Sequence, residues 1–184
     1  MPATYERVGS DDQSLINAVM EKYHGPLWDI GTTVQAVMAS PPVDKNGDPT
    51  GPAIKLHGVK AYATIRTTRP KERAMGACDL EITIDKDYWD ESDDEARIAL
   101  IDHELMHKVP KLDKKTGAVR RDDRDRPLFA TIDHDVEVGW FFAAARRHGM
   151  KSIECQQLRD LLESDGYKQS MLPAVAAFQK AETK

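Results

Sequence analysis

Leu15, Ile16, Val19, Met20 and Tyr23 recur at spacings of one, three and four residues, the mark of a helix with one buried face. Ser10, followed three positions later by Gln13, reads as a capping box that starts this helix, and Gly25-Pro26 ends the pattern. The mixed stretch 27–38 reads as a strand rather than a helix. Residues 40–52 concentrate Pro and Gly and predict a loop. Asp44, Asn46 and Asp48 match the first ligand positions of a calcium-binding EF-hand loop. Pro49 and Lys55 stand where that loop needs Gly and Glu, so a solvated turn is expected.

From 59 to 66 the period changes to two, with Val59, Ala61, Ala63 and Ile65 facing one way and Lys60, Tyr62, Thr64 and Arg66 the other. Residues 79–85 alternate likewise: Leu80, Ile82 and Ile84 face inward, and Asp79, Glu81, Thr83 and Asp85 outward. Two neighbouring strands are predicted, the second a candidate to pair with an extended peptide if it forms the sheet's edge. Ser92 and Glu95 read as a second capping box, opening a helix that runs through residues 100–107. Residues 108–130 then form a long charged connection broken by Pro110, Gly117 and Pro127, of a length that is often functional.

A further helix is expected over 133–148, ending in the basic turn Arg146-Arg147-His148 with Gly149 as a left-handed stop. Ser152 would cap another helix that buries Leu158, Leu161 and Leu162 and ends at Gly166. A last short helix would hold Leu172, Val175 and Phe178. The sequence contains no internal repeat.

At 184 residues, with 40% hydrophobic and 31% charged positions, the composition is that of a globular chain with enough apolar material for a core. A net charge of −5 argues against nucleic acid as the main partner. The first residues lack the basic and apolar regions of a signal peptide, and no run approaches membrane-spanning length, so a cytoplasmic location and no membrane partner are expected. Cys78 and Cys155 stand too far apart for a CxxC pair and are read as reduced thiols.

The candidate chemistry lies in residues 100–107, LIDHELMH. In a helix, His103 and His107 share a face one turn apart, so two imidazoles can reach one metal ion. Glu104 lies about 100 degrees round the helix, beside the metal, placed as a base rather than as a ligand. One Zn2+ ion suits these donors: it lowers the pKa of a water to about 7, and Glu104 can take the proton as a carbonyl is attacked. The implied reaction is amide hydrolysis.

A catalytic site needs a third protein ligand. Asp113 stands where an HExxHxxGxxD pattern would end, but Pro110 replaces its glycine. Glu137 lacks the NExxxD surroundings of a helical carboxylate ligand. His134, opening a helix after the long connection, is the favoured ligand. Asp102, Asp133, Asp135 and Glu137 are candidates to orient metal-bound histidines. His24, His57 and His148 fall outside the constellation. Tyr62, Tyr88 and Tyr167 are equivalent candidates for polarising a carbonyl.

The ordered series of the strand VKAYATI, the stretch GACDLEITIDKDYWD with its Tyr88-Trp89 pair, the segment SDDEARIALIDHELMH, and DHDVE before RRHG resembles the phage metallopeptidases of the zincin class. The resemblance covers about residues 55–150. It implies a zincin-like α+β fold, with a small, mainly antiparallel or mixed sheet packed on the HExxH helix and helices following. It also implies metal ligands at His103, His107 and His134 and Glu104 as the catalytic acid and base. A domain over 1–150 with a helical extension over 151–184 packed on it is expected. Val138-Gly139-Trp140 follows HDVE where the family usually has another acidic residue and an aromatic, so a role for that carboxylate is not carried over.

The expected function is zinc-dependent hydrolysis of peptide bonds in a peptide or protein substrate, of phage or prophage type. One alternative is a non-catalytic module that binds a host or phage protein around a structural zinc. Another is a SprT-like protease acting near DNA, whose phosphate contacts would fall to Lys111, Lys114, Lys115, Arg120, Arg121, Arg124 and Arg126. Asp113, Asp122, Asp123 and Asp125 dilute that charge, which favours a solvated loop.

Overall fold

A computed structural model describes residues 2–56, 58–133, 147–151 and 159. The chain divides into two compact units, Met1–Asp133 and His134–Lys184. In chain order the elements are β1 (Thr4–Arg7), α1 (Ser10–Tyr23), α2 (Gly25–Trp28), β2 (Val34–Ser40), β3 (Lys55–Leu56), β4 (Val59–Lys60), β5 (Ala63–Thr67), α3 (Pro70–Ala74), β6 (Leu80–Asp85), α4 (Lys86–Glu91), α5 (Asp94–Met106), β7 (Lys108–Pro110) and β8 (Phe129–Thr131), followed by a 3-10 turn at Gly149–Lys151. In the second unit Arg147 and His148 are helical and Gly149 takes φ +53°, the left-handed stop expected there. The rest of the helix expected over 133–148, the helices expected after Ser152, and the packing of a 151–184 extension lie outside the described residues. Among the described residues, no helix is long and apolar enough to cross a membrane.

The fold is α+β, with a mixed sheet in the order β1-β2-β6-β5. β2 and β6 are parallel, while β1 against β2 and β5 against β6 are antiparallel. The two alternating segments are therefore neighbours, as their pattern predicts. β6 lies inside the sheet, however, and among the described residues the edges are β1 and β5, which overturns residues 79–85 as the strand open to a peptide.

Leu80, Ile82 and Ile84 are fully buried against Ile16, Val19 and Met20 of α1, Ile101 and Leu105 of α5, and Trp89. Each such side chain contributes about 1.5–3 kcal/mol relative to exposure. β5 shares this face through the pairs Ala63 with Ile84 and Ile65 with Ile82.

Several local expectations are corrected by competing partners. Gly9, not Ser10, caps α1, and no side chain makes a capping hydrogen bond there. Gln13 Nε2 instead donates to the Val34 carbonyl at 3.0 Å, tying α1 to β2. Asp93 caps α5 by accepting from the Ala96 amide at 2.9 Å, while Ser92 donates to the Tyr88 carbonyl at the end of α4. The strand expected over 59–66 breaks in two: β4 folds back on β3 around Gly58, whose φ of +83° suits glycine, and β5 starts afresh at Ala63.

The connection over 108–130 is a twice-folded ribbon rather than an irregular loop. β7 pairs with β8, and bridges follow at Leu112 with Val119 and Arg121 with Pro127. Asp113 closes one turn by accepting from the amides of Thr116 and Lys115, and Asp122 closes the other by accepting from those of Arg126 and Arg124. These bonds hold both carboxyls below the usual carboxylate range.

Asp79 and Asp85, expected to face out, are each only 2% exposed. Asp85 ends β6 and caps α4 through the Tyr88 amide at 3.2 Å. Asp79 accepts from the Thr33 amide at 2.9 Å, Thr33 Oγ1 at 2.8 Å and Arg126 Nε at 2.9 Å. Buried Arg73 lies 3.7 Å from the same carboxylate, donates to the Pro127 carbonyl at 3.1 Å, and stands over the Phe129 ring. This cluster fastens the ribbon to the sheet.

Removing one partner of a buried ion pair leaves an uncompensated charge, at a cost of about 3–5 kcal/mol. The Asp79→Asn variant is expected to lose that much stability in urea unfolding, whereas Asp123→Asn, on the exposed turn, should change it by less than about 0.5 kcal/mol. Equal effects of the two substitutions would show that the cluster does not hold the ribbon.

Candidate metal centre

α5 carries His103, and His107 caps it with φ −67° and ψ −7°, still a right-handed helical conformation. The spacing of four thus keeps the two imidazoles on one face. Their ring centroids are 5.1 Å apart and the planes are nearly perpendicular, at 83°. A crossed pair at this separation can aim two nitrogen lone pairs at a common point.

The second imidazole is oriented by the ribbon. His107 Nδ1 donates to the Ile132 carbonyl at 2.8 Å, and the Ile132 amide donates to the His107 carbonyl at 3.0 Å. These bonds extend the ladder that begins at Lys108 opposite Thr131. With Nδ1 as donor, the neutral ring carries its lone pair on Nε2, the arrangement metal-binding histidines adopt when a carbonyl holds the other nitrogen. Two imidazole nitrogens on one face are donors of the kind that zinc accepts.

Glu104 is 6% exposed. Burial pushes its pKa up, while its neighbours His107 and Lys108 and the backbone amide of Ile65 pull it back. Lys108 is buried as well, donates from Nζ to Thr131 Oγ1 at 2.7 Å, and has its pKa lowered by burial against the attraction of Glu104. A buried carboxyl whose pKa is raised is the kind of group that can exchange a proton near neutral pH. Nothing in the sequence pattern singles out Ile65, Lys108 or Ile132, because their roles depend on β5 and the ribbon reaching the end of α5.

Asp102 receives Nε2 of the buried His24 at 2.8 Å, so His24, which the motif leaves aside, braces the residue before His103. Asp113 lies in its ribbon turn, accepting three hydrogen bonds. Asp133 is exposed. Tyr62 and Tyr88 are brought together, with ring centroids 4.3 Å apart. His57, His134, Asp135, Glu137 and Tyr167 lie outside the described residues. Among the described residues, no three His, Cys, Asp or Glu side chains form a metal-sized cluster.

No curated protein and no solved structure matches the chain. A family model described as "Putative phage metallopeptidase" matches residues 50–164, more than half of the sequence, and takes in β5, β6, the whole of α5 and the ribbon. The chain belongs to this family of phage metallopeptidases.

Proposed function

We propose that the protein is a zinc-dependent peptidase of phage or prophage type, with His103, His107 and His134 as ligands to one zinc ion and Glu104 as its acid and base. Membership of the family implies a metal cofactor. The observation that carries the residue assignment is the bond from His107 Nδ1 to the Ile132 carbonyl. It orients one ligand, and His134 follows Ile132 by two positions with Asp133 between them, at most about 7 Å of chain. Bound zinc would supply a Lewis acid to polarise the scissile carbonyl and acidify a water.

The remaining steps fall to the chain. Glu104 takes the proton from the attacking water and returns it to the departing amine, with the Ile65 amide and the Lys108 charge holding its carboxylate form against burial. β5 is the sheet edge beside Glu104, so an extended substrate would pair there rather than along β6.

Purified protein should hold close to one equivalent of zinc. His134→Ala should lose it, whereas Glu104→Gln and Asp113→Ala should keep it, as read by metal analysis. Cleavage of a broad peptide library by the zinc-loaded protein should fall at least about a hundredfold in Glu104→Gln. Full zinc content in His134→Ala would remove that ligand from the site. Zinc without any Glu104-dependent cleavage would overturn the peptidase reading.

A further inference from the structure

The open edge of β5 runs from the catalytic glutamate towards an exposed aromatic pair. Asp85 donates its amide to the Tyr62 carbonyl at 2.8 Å. By antiparallel alternation Tyr62, Thr64 and Arg66 then bond inward to β6, while Ala63 and Ile65 turn their backbone groups to the outer edge. α5, which carries Glu104, packs against β5, and the Ile65 amide is among the groups that lower the Glu104 pKa. Tyr62 lies three residues upstream, about 10 Å along the strand.

At that position the surface is apolar and exposed. Tyr62 is 48% exposed and stacks on Tyr88 at 4.3 Å, the rings tilted by 30°. Leu56 and Val59 of the β3–β4 hairpin, which leads into this strand, are 52% and 69% exposed. Lys60 Nζ lies 5.2 Å from the centre of the Tyr62 ring and 3.6 Å from the buried Asp85 carboxylate. Large apolar side chains left in water beside a strand edge that is unpaired among the described residues favour an extended occupant.

We propose that Tyr62, backed by Tyr88, is a specificity-determining residue that selects a large apolar or aromatic side chain in the substrate, about three residues from the bond attacked. The proposal rests on the peptidase reading and names the substrate class of that site. A peptide paired along β5 places the residue opposite Tyr62 in a non-hydrogen-bonded pair, where side chains share a face and stand closest. Aromatic rings at such a position favour another ring or a branched aliphatic group and give a polar side chain nothing to bond. The Tyr62 ring offers this contact with little ordering cost, because Tyr88 already holds it.

The test uses the full-length, zinc-loaded Glu104→Gln protein and two ten-residue peptides that alternate threonine with phenylalanine or with serine. Affinities are read from backbone amide shifts of Ala63 and its neighbours. The phenylalanine peptide should bind about tenfold more tightly. Adding Tyr62→Ala should abolish the difference and Tyr62→Phe preserve it, with zinc content and melting temperature unchanged because the side chain is half exposed. Equal affinity of the two peptides, or a preference that survives both Tyr62→Ala and Tyr88→Ala, overturns the proposal. Cleavage by the wild-type protein is scored separately: its absence with the Tyr62-dependent preference intact overturns the peptidase reading alone and supports selection at this surface.

Discussion

The ion cluster of Asp79, Arg126 and Arg73 is the constraint on which the candidate site depends. A carboxylate buried at the start of β6 needs cations and amide donors, and here they come from the ribbon, from α3 and from the turn before β2. The ribbon is thereby held to the sheet near its second turn, and its two strands end at Lys108 and Thr131. That end supplies the Ile132 carbonyl to His107. Buried ion pairs give little net stability compared with apolar packing, but they discriminate sharply against displaced arrangements, since any shift leaves a charge unpaired. A metal ligand needs that geometric discrimination more than it needs stability.

Glu104 shows the same economy on a smaller scale. Burial alone would keep a carboxyl protonated and useless as a base, while full exposure would let water compete for it. Three neighbours from three parts of the chain oppose the effect of burial: His107 on the next turn, Lys108 just beyond the helix, and the Ile65 amide on the edge strand. Ile65 also belongs to β5, an edge of the sheet among the described residues.

Elements with strong periodicity were legible from the residues alone. The apolar face of α1 and the triplet Leu80, Ile82 and Ile84 follow from spacing, because burial on one face forces a period of 3.6 or 2. The HExxH pair could be placed on one helical face for the same reason, and the ordered motifs around it pointed to the family. Features decided by competition between partners were not legible. Gln13 could bond its own helix or β2 and takes β2; Asp79 looks like an outward residue of an alternating strand and is buried because two distant arginines meet it. The charged stretch 108–130 hid its pairing because turns built by Asp113 and Asp122 resemble any solvated acidic loop.

The sequence by itself determined which residues are the candidates for chemistry, since the spacing of His103, Glu104 and His107 and the alternation of the strands are local properties of a periodic chain. Only the tertiary structure decided which nitrogen of His107 donates, which amide meets Glu104, and that β5 rather than β6 is the sheet's edge. Strand order, tautomer and burial arise from contacts between segments tens of residues apart. No local pattern encodes them, because the same alternation serves an inner strand and an edge strand equally well.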